Sequence, residues 1–112
     1  MMQKTLALKK NEVKALNDLK EALSERFNLI DFRVFGSKAR KEDTPESDID
    51  VFIELDESNF DIESRIQHVV LDINLENDTF ISTTIISKRE IEEGPMSESP
   101  VYKAVMREGV SI

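Results

Sequence analysis

From Asn11 onward the apolar residues Val13, Leu16, Leu19, Leu23 and Phe27 recur every three or four positions, with lysines and glutamates on the other faces. A period near 3.6 predicts an amphipathic helix, with Asn11 placed to cap it. The pattern then changes. LIDFRVF, residues 29–35, is rich in branched and aromatic side chains and runs into Gly36, which predicts a strand ending in a tight turn. DIDVFIEL, residues 48–55, predicts a second strand with Ile49, Val51, Ile53 and Leu55 as an unbroken apolar row on the core face. Asp48, Asp50, Phe52 and Glu54 fall on the opposite face. That row fixes the register, because a slip of one residue would bury both aspartates.

Between Phe60 and Leu75, Ile62, Ile66, Val69, Val70 and Ile73 restore the helical period before the polar break Glu76-Asn77-Asp78. TFISTTIIS, residues 79–87, is a third strand by composition. The charged run Arg89 to Glu93 reads as a surface turn or helix rather than an acidic docking patch. Ser99 and Pro100 then form the cap and first turn of a short last helix that Gly109 ends. The order helix, strand, strand, helix, strand, helix predicts an α/β (α+β) domain, a small mixed sheet flanked by helices. Met96, Val101, Val105 and Met106 belong either to its core or to an apolar patch for a partner or a second copy of the chain.

Length and composition narrow the picture. A chain of 112 residues supports one domain, spanning 1–112, whose single core buries roughly two thirds of the unfolded surface. With 39% hydrophobic and 34% charged residues it is expected to fold. It has no cysteine, which excludes disulfides and thiolate metal sites. The start, MMQKTLALKKNEVK, has no apolar stretch like a signal peptide, and no segment approaches the roughly 20 apolar residues of a membrane span, so a cytoplasmic location is expected. The formal net charge of −8 repels phosphate backbones and disfavours stable nucleic-acid binding. A small nucleotide held by a metal, or a basic protein partner, is compatible with it.

The chemistry concentrates in GSKARKEDTPESDID, residues 36–50. Asp48 and Asp50 alternate onto one face of a strand, roughly 6.5 Å apart along the backbone. Two such carboxylates repel one another unless a cation joins them, and Mg²⁺ suits the position because it takes one or two carboxylates and completes its shell with water and phosphate oxygens. Gly36 lets the backbone approach a phosphate, the Ser37 hydroxyl can donate to it, and a helix starting near Lys38 would favour an anion. Lys38 and Arg40 add positive charge nearby. A bare DxD is usually no more than a turn and a solvent face. Gly-Ser followed by DxD at one fixed spacing, however, arises by chance on the order of 10⁻³ times per chain of this length.

FGSKARKEDTPESDIDVFIEL resembles the GS-x10-DxD signature of the minimal nucleotidyltransferases, within the polymerase-β-like nucleotidyltransferase superfamily. The ten residues Lys38 to Ser47 separate Ser37 from Asp48, as that signature requires. The resemblance implies Mg²⁺-dependent transfer of a nucleoside monophosphate, with ATP the expected donor, and release of pyrophosphate. Asp48 and Asp50 would hold the metal, and Gly36 and Ser37 the β- and γ-phosphates. Stand-alone relatives are often antitoxins paired with a HEPN-domain ribonuclease toxin, some of which they modify with AMP on a tyrosine. The implied acceptor is therefore a protein. The alternative is a catalytically weak, nucleotide-binding antitoxin that neutralises its toxin by forming a complex; a small hydroxylated acceptor is a third reading.

The superfamily often adds a third carboxylate from a neighbouring strand, and TFISTTIIS contains neither Asp nor Glu. Its polar positions are Ser82, Thr83, Thr84 and Ser87. Asp78 lies four residues before Ser82, roughly 13 Å of extended chain away, and Glu54 about as far beyond Asp50. Either the acceptor brings its own base, or water serves, or the site binds nucleotide with little turnover. Lys41 departs from the glycine common after the Arg40 position. His68 and Tyr102 are expected to be helix residues rather than catalytic ones.

Overall fold

The computed structural model describes residues 8–40 and 48–112, the side chains of Ser37 and Arg40 excepted. Lys41 and Ser47 lie outside the described residues. A first helix, α1 (Lys10–Arg26), precedes strand β1 (Leu29–Phe35) and a single-turn helix, α2 (Ser37–Arg40). Strand β2 (Ile49–Leu55), helix α3 (Phe60–Asn77) and strand β3 (Ile81–Ser87) follow. The chain closes with α4 (Lys88–Glu93), a 3₁₀ turn at Pro95–Glu98, α5 (Pro100–Glu108) and a short strand, β4 (Val110–Ser111). Four strands form one mixed sheet in the order β3-β2-β1-β4. β1 runs antiparallel to β2 and β4, whereas β2 and β3 are parallel and joined through α3. This is the mixed α+β architecture expected from the sequence.

The apolar row of β2 does lie on the main core. Ile49, Val51, Ile53 and Leu55 pack with Leu16, Leu19 and Leu23 of α1 and Ile66, Val70 and Ile73 of α3. Two helical stripes thus cover one face of the sheet. The start of α1 differs from expectation: the helix begins at Lys10, and Lys9 N–H donates to Glu12 Oε1 at 2.9 Å. Asn11 is not its cap. Its amide donates instead to the carbonyls of Asn77, at 2.9 Å, and Asp78, at 3.3 Å, supplying partners to the free carbonyls that end α3. Val13 points outward, and Glu12 is buried in the place a stripe residue would take.

The opposite face of the sheet is half covered, which the alternation in β2 did not reveal. Phe52, expected on a solvent face, is fully buried with Ile86 and Val105, and Phe35, Ile91, Met96 and Tyr102 pack around them. Phe52 and Tyr102 meet edge to face, with ring centroids 6.1 Å apart. Met96 and Val105 therefore belong to a second, smaller core, while Val101 and Met106 stay partly exposed. Ser99 accepts from Tyr102 N–H at 3.3 Å and caps α5 as expected. The segment after β3 is helical because Ser87 and Glu90 form a reciprocal capping box, at 3.2 Å in each direction.

Candidate active site

β1 delivers the chain to Gly36, whose φ of +74° lies in the left-handed region. Phe35 is paired with Asp50 across the β1–β2 ladder, so the turn stands directly beside that aspartate. A Cβ at Gly36 would overlap the Asp50 carboxylate and come within 3.3 Å of its Cγ. Glycine is favoured here twice: it adopts the left-handed angle without strain, and it leaves the Asp50 carboxylate in place. The two halves of the motif, eleven residues or more apart in sequence, are in contact in the fold.

The turn is held from beneath. After Gly36, α2 buries Ala39 and the Lys38 side chain, each only 2% exposed. Lys38 Nζ lies 3.3 Å from Glu12 Oε2 on α1, and the other oxygen of Glu12 accepts from Lys9 N–H. This explains why Glu12 occupies a buried position. It pairs with a buried cation, and it ties the segment after Gly36 to α1. Lys38 is thus directed into the protein. Of Arg40, only its place at the end of α2 is described.

Asp48 is exposed at the entry to β2, and Asp50 is half-buried one residue beyond Ile49. The parallel ladder sets Asp50 beside Ser82 and Phe52 beside Thr84. Thr79, Ile81, Thr83 and Ile85 face α3: Thr79 Oγ1 donates to Asn74 Oδ1 at 2.9 Å, Thr83 Oγ1 accepts from Gln67 Nε2 at 2.8 Å, and the two isoleucines join the main core. The alternate residues Ser82 and Thr84 consequently share the face of Asp50. Neither carries a carboxylate. Asp78 sits exposed at the left-handed end of α3, φ 54°, outside the strand.

Glu54 belongs to a different place. It pairs in register with Asp31 at the far end of β2, beside a groove of about 630 Å³ that also touches Lys88, Glu92 and Tyr102. Burial pushes its carboxyl pKa up, and the negative charges of Asp31 and Glu92 add to this. His68 is exposed on α3.

Asp48 and Asp50 are therefore two carboxylates at the entry to β2, the second of them directly against the left-handed Gly36 turn. Among the described residues no group of three or more His, Asp or Glu could hold a metal by itself. Two carboxylates suit Mg²⁺, which completes its coordination with water and substrate phosphates and needs no all-protein cage.

Three comparisons bear on this arrangement. Residues 16–106 match the nucleotidyltransferase domain family. A protein of Methanocaldococcus jannaschii, provisionally named a protein adenylyltransferase, is 31% identical over 94 residues, which span 78% of this chain and 92% of that protein. A solved structure provisionally described as a minimal nucleotidyltransferase superposes with a TM-score of 0.60 over 95% of this chain and 99% of its own. At 20% identity that likeness speaks to the fold.

Proposed function

The chain belongs to the nucleotidyltransferase domain family, and from that premise we propose that it transfers a nucleoside monophosphate from a nucleoside triphosphate to a hydroxyl of a protein acceptor, at a site built on Asp48 and Asp50. The observation that supports this reading is the contact between the Gly36 turn and the Asp50 carboxylate, which puts the two halves of the Gly-Ser and DxD motif side by side. Nucleotidyltransferase domains generally use a divalent metal, commonly Mg²⁺. In this chain Asp48 and Asp50 would hold it, and it would neutralise charge on the triphosphate.

The chain's own contributions are positional. The Gly36–Ser37 backbone receives the β- and γ-phosphates, and the absence of a Cβ lets that turn close against Asp50. Lys38, anchored on Glu12, fixes the turn rather than reaching outward. The acceptor oxygen attacks the α-phosphorus as the bond to the β-phosphate bridging oxygen breaks, and pyrophosphate leaves toward the turn. Ser82 and Thr84 are poor bases, so the acceptor proton passes to solvent or to a group of the acceptor. The acceptor we favour is a basic HEPN-type toxin, a match for the net charge of −8, which would make the chain an antitoxin.

The test is label transfer from α-labelled ATP, with the other nucleoside triphosphates as competitors, to a co-purified partner in Mg²⁺. Wild type is expected to label the partner, and Asp48→Asn and Asp50→Asn to abolish labelling while melting as folded proteins. Labelling that persists in both would remove the assigned site. The missing carboxylate on β3 favours one second reading, neutralisation by complex formation. Equal neutralisation by wild type and the Asp48→Asn/Asp50→Asn double variant would select it.

A further inference from the structure

β2 is an inner strand of the sheet, so the entry that carries Asp48 and Asp50 has a neighbour on each side. On the β1 side stands the Gly36 turn, in contact with the Asp50 carboxylate. On the other side is the junction of α3 and β3, where the Phe80 carbonyl accepts from Ile49 N–H at 2.9 Å and Ile81 pairs with Ile49. Both flanks are tied to consecutive residues of one helix.

Asn11 holds the β3 side. Its amide donates to the carbonyls of Asn77 and Asp78, where α3 ends and the chain turns toward β3. Glu12 holds the β1 side through Lys38, which follows Gly36 in α2 and lies 3.3 Å away. Both side chains of that ion pair are almost fully buried. Stability alone is a weak reason for such a pair, because desolvating two charges cancels much of their attraction, and apolar residues of similar size are often as stable. What an apolar pair lacks is direction. A satisfied buried polar network favours one arrangement of the elements it joins.

We propose that Asn11 and Glu12 are positioning residues of the nucleotide site: the first turn of α1 braces both flanks of the aspartates, and Glu12, through Lys38, fixes the Gly36 turn where it meets the triphosphate. This rests on the transferase reading above. Neither residue takes part in the chemistry. Without the ion pair the fold persists, but the turn loses its set place beside Asp50, and phosphate and metal lose their common geometry.

The experiment uses the full chain and pairs a thermal melt with calorimetric binding of α,β-methylene-ATP in Mg²⁺. The proteins are wild type, the Glu12→Leu/Lys38→Met double variant and Asn11→Ala. The double variant removes both charges together, so it should melt cooperatively and lose only the bond from Lys9 N–H to Glu12, roughly 4–8 °C in Tm. Its Kd should nevertheless rise roughly tenfold, the low end for outer partners of a ligand site. A merely structural pair would leave binding unchanged once the protein is folded. Wild-type affinity in the folded double variant therefore overturns the role of Glu12, and so does a double variant that fails to fold. Asn11→Ala spares the ion pair and reads the other arm, with a Kd raised roughly threefold. Wild-type affinity there overturns the role of Asn11. Wild type that fails to bind the nucleotide at all would instead remove the transferase reading, and this inference with it.

Discussion

Gly36→Ala tests whether the glycine serves the turn, the aspartate, or both. A left-handed backbone at φ +74° costs an L-residue roughly 1–2 kcal/mol. The new methyl would also have to displace the Asp50 carboxylate, and forcing that side chain off its rotamer adds about 0.5–1.5 kcal/mol. The two effects separate in the Asp50→Ala background. There the overlapping oxygen and Cγ are gone, and the nearest remaining Asp50 atom, Cβ, stands at 3.4 Å, an ordinary contact. Gly36→Ala should then cost only the backbone strain, about 1 kcal/mol less than in wild type. For a domain of this size 1 kcal/mol moves Tm by roughly 4–8 °C, so thermal melts of the four proteins of the cycle resolve it. In the wild-type background, moving the carboxylate should also lower transfer about 10²-fold, the penalty of a misplaced catalytic group. Equal Tm losses in both backgrounds would show that the carboxylate does not stand against the glycine, and the link between the two halves of the motif would be refuted.

Other expectations concern what supports the site. Glu12→Gln should destabilise by roughly 3 kcal/mol, because it removes the carboxylate from a buried ion pair, whereas Asp18→Asn in the exposed Lys14–Asp18 pair should cost no more than about 0.5 kcal/mol. Urea unfolding of the two variants checks the contrast, and similar losses would deny the buried pair its role. For Glu54 the raised carboxyl pKa means that the folded state holds its proton more tightly than the unfolded chain. Its contribution to stability therefore declines as pH rises from near 4.5 through the raised pKa, and the loss is complete above it. Glu54→Gln should accordingly raise Tm at pH 7 and change it little at pH 4; the reverse order would contradict the assignment. Asn74→Ala removes three hydrogen bonds at the junction of α3 and β3 and should cost about 2–4 kcal/mol, read by the same unfolding curves.

The strands and long helices were legible because their periodicities are uninterrupted: the row Ile49, Val51, Ile53, Leu55 admits one register, and Ser99-Pro100 and Gly109 mark α5 at both ends. What escaped was set by distant partners. Glu12 looks like a surface residue until Lys38 is brought to it from 26 positions away. Asn11 looks like a cap until the end of α3 reaches it. Phe52 looks solvent-facing because nothing in β2 itself announces that α5 will return to cover it, and β4 is too short to carry a pattern. At the site, GS and DxD are written plainly in the sequence, yet their contact through the Asp50 carboxylate depends on the antiparallel register that pairs Phe35 with Asp50. Phe80, just before β3, was hidden in TFISTTIIS, where composition does not tell an exposed position from a buried one. The bonds of Asn74 to Thr79 and Ile81 are what turn it outward.

The most direct measurement is calorimetric titration of the chain with ATP, in the presence and absence of Mg²⁺, for wild type and for Asp50→Asn. Binding should require Mg²⁺ in wild type and be lost in a variant that still melts cooperatively. Equal binding without the metal, or undiminished binding by Asp50→Asn, would contradict a metal–nucleotide site at the aspartates.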